Sequence, residues 1–189
     1  ADMLSKESLN FRTVEDTESD RLIEKAVSHI RDDRAALVLG SSARNSYMLK
    51  RLQRIAKRTV DTLRFQIKQG SFVPSSFEQK FEYDGLKGYI DRMDRVSDGQ
   101  DIYIDIIDYK SGNKEFDMNR IYYGLDLQLI IYLSAGMDIE IRQNPGKNIH
   151  PAGIFYYHID DPVIDSEDSD GDTSVLDIMH KKLKLKGIV

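Results

Sequence analysis

The sequence predicts an α/β fold in which helices and strands mix within one domain. Three observations lead to this class: a long amphipathic helical pattern early in the chain, β-type runs joined by a polar turn, and a further helix and strand after them. The chain has 189 residues, 40% of them apolar and 31% charged, as is usual for one globular domain. We expect a single domain over 1–189, with a helical part at 1–43 and the core at 44–189.

Two helices are predicted before the first strand. The segment 18–33 has apolar residues at helical spacing, and Ser19 or Asp20 is the expected N-cap. The segment from residue 43 onward is a longer amphipathic helix, which Gly70 ends. Its apolar stripe consists of Met48, Leu52, Ile55, Ala56, Val60, Leu63 and Ile67.

Three strands are predicted next, at "FEQKFEY" (77–83), 86–96 and 102–110. The turn "SDGQD" joins the last two into an antiparallel pair. Side chains two positions apart share a face of a strand. One face of the last strand therefore carries Ile102, Ile104, Ile106, Asp108 and Lys110, and the other carries Tyr103, Asp105, Ile107 and Tyr109. Two charged groups thus end an apolar face.

The remaining third of the chain again mixes helix and strand. Residues 117–136 are predicted to form one helix, with Asp117 or Asn119 near its N-cap and Gly136 beyond its end. The stretch "PAGIFYYHI" (151–159) is rich in aromatic and β-branched residues and is predicted to be a strand. The acidic stretch 160–173 is expected to be a surface loop, and 173–189 a closing amphipathic element.

The composition excludes several kinds of chemistry. The chain has no cysteine, so it contains no disulfide, no thiolate nucleophile and no Cys-bound zinc or iron-sulfur site. The longest apolar runs, such as "LIIYL" at 129–133, are far shorter than the roughly 20 residues that span a bilayer, so no membrane partner is expected. The N-terminus lacks the pattern of a signal peptide, and the expected compartment is the cytoplasm.

Charge is distributed unevenly along the chain. The net charge of -5 argues against indiscriminate binding to nucleic acid. The long helix is nevertheless basic, and the loop at 160–173 is acidic. Four basic side chains of the helix are candidate contacts to a DNA backbone, namely Arg51, Arg54, Lys57 and Arg58. The alternative is an ordinary solvated helix face.

The candidate catalytic residues lie on the paired strands. Asp108 and Lys110 end one strand, and Asp91 lies on the strand predicted to pair with it. Two carboxylates are costly to bring together unless a cation neutralises them. Oxygen ligands without His or Cys favour Mg²⁺ or Mn²⁺ over zinc, and a lysine beside such a metal can position a water. These groups suit phosphodiester hydrolysis, although an ordinary ion pair at a strand end is the alternative.

Three segments in this order resemble a known family. They are "GYID" (88–91), "IIDYKSG" (106–112) and "YYGLDLQLIIYL" (122–133), and they resemble the successive motifs of RecB-type nucleases of the PD-(D/E)xK superfamily. The similarity is greatest to the C-terminal nuclease domain of the B subunit of AddAB-type (RexAB-type) ATP-dependent helicase-nucleases, and it covers most of 45–189. The resemblance implies a restriction-endonuclease-like core, a central mixed β-sheet flanked by helices on both faces.

The resemblance assigns roles to five residues. Asp91 matches the first metal-binding aspartate, Asp108 the second, and Lys110 the catalytic lysine. Gln128 and Tyr132 match the Q-x-x-x-Y motif, whose spacing places both side chains on one edge of a helix. For this last pair, a surface glutamine and a half-buried tyrosine are the alternative.

Other assignments from the resemblance are less direct. Tyr109 would contribute its backbone carbonyl to the metal. Glu78 is a candidate for a further acidic ligand, with a solvated strand residue as the alternative. Tyr122 and Tyr123 are expected to pack in the core, and stacking on unpaired bases is the alternative.

The implied function is that of a Mg²⁺-dependent DNA exonuclease domain. It would work with the helicase-nuclease A subunit in a complex that processes double-strand breaks for recombinational repair. Members of this family typically hold an iron-sulfur cluster, for which this chain has no cysteine ligands. We therefore expect a piece of a larger subunit that is monomeric and not strongly active alone; a lineage that lacks the cluster is the alternative explanation for the missing cysteines. The alternatives are a non-catalytic DNA-binding or scaffolding module and a free-standing phage-type recombination exonuclease.

Overall fold

The computed structural model describes residues 12–32, 43–112, 114–162 and 174–189. Helices and strands are mixed along these segments, which agrees with the predicted α/β class. In chain order the elements are α1 (Asp16–Asp32), α2 (Ala43–Gln69), β1 (Val73–Tyr83), β2 (Leu86–Asp98), β3 (Asp101–Lys110), α3 (Met118–Tyr122), α4 (Gln128–Gln143), β4 (Asn148–His158), α5 (Val175–Lys182) and β5 (Lys186–Ile188).

The chain divides into two compact units. The first lies within Met3–Gln69 and Ile159–Leu183 and includes α1, α2 and α5. The second lies within Gly70–His158 and Lys184–Val189 and includes the sheet, α3 and α4. The single domain over 1–189, with its division at 43/44, stays a prediction.

The sheet of the second unit is mixed, as predicted. Its order is β1-β2-β3-β4-β5, and only β3 and β4 pair in parallel among these neighbours. The turn between β2 and β3 lies at Gly99, whose φ of +57° suits glycine. A parallel pair needs a crossover connection, and α4 provides it between β3 and β4.

Helix α4 packs against the sheet face that holds the hydrophobic core. Met93 and Ile106 are buried there beneath Leu129 and Ala135. Gly136 lies in the middle of α4, where an added Cβ would lie 3.1 Å from both Ile106 Cδ1 and Met93 Sδ. Gly136 therefore permits close packing of helix on sheet, and the expectation that it lies beyond the helix end is wrong.

The predicted single helix over 117–136 is also wrong, because the chain forms two helices there. Gly124 ends α3 in the left-handed conformation, with φ +71°. Its N–H donates to Ile121 O at 3.0 Å, and the N–H of Leu125 donates to Arg120 O at 2.8 Å. This is a Schellman cap, which satisfies the last carbonyls of a short helix. The predicted N-cap Asp117 is confirmed, since its side chain accepts from the N–H of Asn119.

In the first unit, α1 packs against α2, and Leu22 and Ile23 of α1 are buried. Helix α2 has the predicted bounds, and Leu63 and Ile67 of its stripe are buried. Helix α1 begins at Asp16, so the expected N-cap at Ser19 or Asp20 is wrong. The reason is that the N–H of Ser19 already donates to Glu15 O at 3.0 Å within the first turn.

The closing segment forms helix α5 and the short strand β5. Ser174 caps α5, because its side chain accepts from the N–H of Asp177 at 3.2 Å. The expected acidic loop at 160–173 lies mostly outside the described residues. In the described part of the chain, every helix is too short or too polar to cross a bilayer.

Candidate active site

The β2–β3 ladder places two carboxylates side by side. Arg92 pairs with Ile107 in this antiparallel register, so Asp91 lies next to Asp108 one position further on. Asp91 Oδ2 also accepts a hydrogen bond from the backbone N–H of Tyr109 at 2.8 Å. Asp91 is half-buried, and Asp108 is only 1% exposed. The carboxylate of Asp91 thus joins the two strands at the end of the apolar face.

Four side chains form a closed network at this end of β3. Lys110 Nζ lies 2.5 Å from Asp108 Oδ2 and donates to Gln128 Oε1 at 2.9 Å. Gln128 Nε2 donates to Asp108 Oδ1 at 3.0 Å and to the hydroxyl of Tyr132 at 2.9 Å. The amide of Gln128 therefore bridges the aspartate and the lysine.

Helix α4 and strand β4 hold this network in position. Gln128 is the first residue of α4, and Tyr132 follows one turn later on the same edge. The Tyr132 ring packs edge-on against Phe81, with ring centroids 5.5 Å apart. The Lys110 ammonium lies 5.3 Å from the centre of the Tyr156 ring, a cation–π contact. Tyr132 and Lys110 are thus each oriented by an aromatic neighbour.

The electrostatics of Asp108 favour a bound cation. Burial raises the pKa of its carboxyl group, the charge of Lys110 opposes that rise, and the charge of Asp91 adds to it. Asp108 Oδ2 is buried without a directed hydrogen bond, although it forms an ion pair with Lys110. A second cation would relieve both the repulsion between the carboxylates and the unsatisfied oxygen. The residues present therefore fit a hard divalent ion.

The ligand set available to such an ion is small. Over the described ranges, no group of three or more His, Asp and Glu side chains comes together. The candidate protein ligands are thus the two carboxylates and a backbone carbonyl. The role of the Tyr109 carbonyl stays a prediction.

Glu78 lies on β1 across from this site. Its neighbours Phe77 and Gln79 pair with Arg92 and Ile90, which places Glu78 opposite Asp91. Its side chain is exposed and its φ is +48°. A left-handed backbone is uncommon for a residue other than glycine and often marks a functional position. Glu78 does not form a three-carboxylate group with the two aspartates, and its role as a ligand stays a prediction.

A second charged cluster occupies the opposite face of the same strands, and the sequence reasoning missed it. Arg92 donates to both carboxylate oxygens of Asp94, at 2.6 and 2.5 Å, and both residues are buried. Asp105 pairs with Asp94 across the ladder. Burial and the Asp94 charge raise the pKa of Asp105 to about 7, while Arg92 opposes the rise. The charged residues at successive positions 91 and 92 were the signal that both faces of β2 are polar.

The Tyr109 side chain belongs to this opposite face. Its ring packs edge-on against Tyr157, with centroids 5.8 Å apart, and its hydroxyl group interacts with Arg92. Burial raises the pKa of that hydroxyl, and the Arg92 charge counteracts it. Arg92 and Tyr109 each follow a candidate ligand in the chain. The buried cluster thus anchors the strand segments that carry the carboxylates.

The basic side chains of α2 are engaged in ion pairs within the first unit. Arg54 and Arg58 both bind the carboxylate of Asp161, whose side chain is 7% exposed. Lys57 binds Asp20. Three of the four candidate cations are thus paired with acids, two of them with the same carboxylate, and contact with DNA by Arg51, Arg54, Lys57 and Arg58 stays a prediction.

A mixed sheet carrying two carboxylates and a lysine at the end of a β-hairpin defines the class of restriction-endonuclease-like nucleases. The glutamine and tyrosine on the following helix complete the arrangement. Comparison with known proteins agrees with this class, because the family model of the PD-(D/E)XK nuclease superfamily matches residues 5–184. The chain belongs to the PD-(D/E)XK nuclease superfamily.

Curated relatives are similar over most of this chain. One from Lachnoclostridium phytofermentans is 44% identical over 156 residues, which is 80% of this chain and 13% of the relative. Relatives from Alkaliphilus metalliredigens and Clostridium acetobutylicum are 36% identical, over 97% and 98% of this chain and 17% of each relative. Each of the three is named as the B subunit of an ATP-dependent helicase/deoxyribonuclease. The chain therefore spans less than a fifth of the length of these relatives, and the resemblance to helicase-nuclease B subunits is confirmed.

Proposed function

We propose that this chain is a divalent-cation-dependent deoxyribonuclease domain that acts as an exonuclease within a helicase-nuclease. The observation that carries the proposal is the network in which Gln128 bridges Asp108 and Lys110 beside Asp91. A non-catalytic scaffold has no need for a lysine held against a buried carboxylate of raised pKa that lies beside a second carboxylate.

Asp91, Asp108 and the Tyr109 carbonyl are the residues that would hold Mg²⁺ or Mn²⁺. When bound, such an ion supplies positive charge that lowers the pKa of a water and offsets the charge of the phosphate. Its choice over zinc follows from the oxygen-only donors.

Lys110, Gln128 and Tyr132 would act through their side chains. Lys110, which is 19% exposed, keeps its ammonium at the site mouth, where it would orient the attacking water and face the phosphate. The carbonyl of Gln128 accepts from Lys110, and its amide donates to Asp108, so it sets the distance between the two charges. Tyr132 holds the amide of Gln128 in that orientation.

The wider role is supported by the names of the relatives. By its name, the B subunit of a helicase/deoxyribonuclease works on DNA together with another subunit. We infer that this chain acts on DNA with a helicase-nuclease A subunit, in the processing of double-strand breaks in the cytoplasm. The chain offers no cysteine for an iron-sulfur cluster, so any such cluster of the complex would need ligands from elsewhere.

The test is the Asp108→Asn variant, assayed for Mg²⁺- and Mn²⁺-dependent cleavage of end-labelled DNA. The amide keeps the size of the side chain but removes one negative charge. We expect a loss of at least about a hundredfold, since even outer-shell changes at metal sites cost 10- to 100-fold. The matched control is Asp98→Asn, at the exposed far end of β2.

Calorimetry with Mn²⁺ separates a nuclease from a scaffold. The wild-type protein and the control should bind the ion, and Asp108→Asn should bind it weakly. Unchanged cleavage by Asp108→Asn, or no metal-dependent heat in any of the proteins, would refute the proposal.

A further inference from the structure

Two tyrosines on the segment that leads into Gln128 of the candidate active site are largely exposed. Tyr122 is 83% and Tyr123 is 72% exposed, and their rings contact each other edge to face with centroids 5.3 Å apart. The expectation that they pack in the core is therefore wrong, because α3 buries none of its residues and the turn at Gly124 separates it from α4, the helix that packs on the sheet. Leu125, 66% exposed, extends the same apolar surface. We call Tyr122, Tyr123 and Leu125 the aromatic platform.

The segment that carries the platform is firmly attached to the site. Asp126 accepts from Lys114 Nζ at 2.9 Å and from the hydroxyl of Tyr156 at 3.2 Å. Tyr156 is in turn the direct register partner of Asp108 in the β3–β4 ladder. The platform thus spans the Schellman cap of α3 and ends at Leu125, directly before Asp126, which is fixed to the site strands. Gln128 follows Asp126 by a single intervening residue.

The chemistry of this surface fits a nucleobase. In a polynucleotide, a base flanks every phosphodiester, so a strand whose phosphate reaches Lys110 presents bases to the neighbouring surface. Aromatic side chains stack on unpaired bases of any sequence and are commonly combined with nearby cations for the backbone. Arg120 of α3 is exposed next to the platform, and Lys114, whose side chain is 40% exposed, is paired there with Asp126. A base in the interior of a duplex has both faces covered by the neighbouring bases, so it cannot stack on a protein side chain in this way.

We infer that Tyr122 and Tyr123 are substrate-positioning residues: one ring stacks on an unpaired base next to the scissile phosphate, and the other supports that ring edge-on. This inference rests on the proposed nuclease function and specifies the form of DNA that the site receives. The strand enters single-stranded, or frayed at its end. The platform then seats one base while the phosphate lies at Lys110.

The test compares a double Leu variant, Tyr122→Leu with Tyr123→Leu, and a double Phe variant at the same positions. The probe is a single-stranded oligonucleotide with 2-aminopurine near one end, with Ca²⁺ in place of Mg²⁺ so that binding is read without cleavage. Loss of one base–aromatic stack predicts that the Leu variant binds about ten- to a hundredfold more weakly. The Phe variant should bind like the wild type, and affinity for a blunt duplex should stay unchanged in both.

Cleavage kinetics provide a second readout. With Mg²⁺, the Leu variant should show a raised KM for single strands and a kcat close to that of the wild type. Circular dichroism checks the fold, which exposed substitutions should leave intact.

Each outcome decides the inference separately from the proposed function. Binding by the Leu variant equal to that of the wild type would overturn the inference of base stacking. That result would also be expected if this surface docks another protein, since Leu would preserve an apolar contact. Equal losses in the Leu and Phe variants would also overturn the inference, because a hydroxyl rather than a ring would then be required. Failure of the nuclease proposal would show instead as unchanged cleavage by Asp108→Asn.

Discussion

Replacing Gln128 tests the central feature of the candidate site. Two variants separate its contributions. Gln128→Ala removes the whole bridge, whereas Gln128→Glu keeps its shape and its acceptor for Lys110 but removes the donor to Asp108 and adds a negative charge.

The magnitude follows from the contacts. Gln128 makes two hydrogen bonds to charged groups and one to the Tyr132 hydroxyl. Bonds to charged groups contribute about 1.5–3 kcal/mol each, but Lys110 remains partly accessible to water and keeps its ion pair with Asp108. We therefore expect Gln128→Ala to lower the free energy of unfolding by only about 1–3 kcal/mol. Activity should fall by about 10- to 100-fold, because Lys110 and Asp108 lose their shared support.

Gln128→Glu should also change the pH profile. Burial already raises the pKa of Asp108. Lys110 opposes this rise, and the Asp91 charge adds to it. A third carboxylate raises that pKa further. Asp108 is needed in its ionised form, so the acidic limb of the pH–rate profile should move to higher pH.

The assay is kcat/KM for DNA cleavage from about pH 5 to about pH 9, a range that brackets a raised carboxyl pKa, together with urea unfolding. Gln143→Ala, the same change at the other end of α4, is the control and should match the wild type. Wild-type kcat/KM in both Gln128 variants, with an unshifted acidic limb for Gln128→Glu, would refute the reasoning.

Three further predictions concern the scaffold. Gly136→Val should lower the free energy of unfolding in urea by about 1–3 kcal/mol, because its methyl groups would overlap the sheet residues already close to Gly136; a wild-type midpoint would contradict this. Asp105 has a folded-state pKa of about 7, above that of an unfolded aspartate, so the folded protein binds the extra proton and loses stability as pH rises through about 7. Asp105→Asn should remove this loss and unfold at a higher midpoint than the wild type at about pH 8 but not at about pH 4; equal midpoints at both would count against it. Arg92→Met should lower the free energy of unfolding by about 3–5 kcal/mol, because it leaves buried Asp94 unpaired. Adding Asp94→Leu should recover most of that loss in the same urea assay.

Much of the second unit follows from local patterns. The turn and alternation of residues 86–110 correctly predicted a hairpin with Asp108 and Lys110 on the apolar face. Strand alternation is a property of the backbone itself, so it survives folding unchanged. In the first unit, the bounds of α2 were equally predictable, since its apolar stripe runs for many turns and ends at a glycine.

The sequence pattern did not predict the break between α3 and α4. Apolar residues continue at helical spacing across it, and only the backbone at Gly124, stabilised by two cap hydrogen bonds, interrupts the helix. This one break moves Tyr122 and Tyr123 from the predicted core to the surface. It also makes Gln128 the first residue of a new helix.

Local sequence specifies which groups are available: two carboxylates and a lysine on one face of a hairpin, oxygen donors without His or Cys, and a glutamine and tyrosine one turn apart. Packing of the elements brings the Gln128 amide within 3.0 Å of Asp108 and leaves Asp108 almost fully buried. It also pairs Arg92 with Asp94 beneath the same strands. Face and chemical type are local properties of a chain. Distances between elements and the desolvation of a charge depend on how α4 packs on the sheet, which local spacing does not encode.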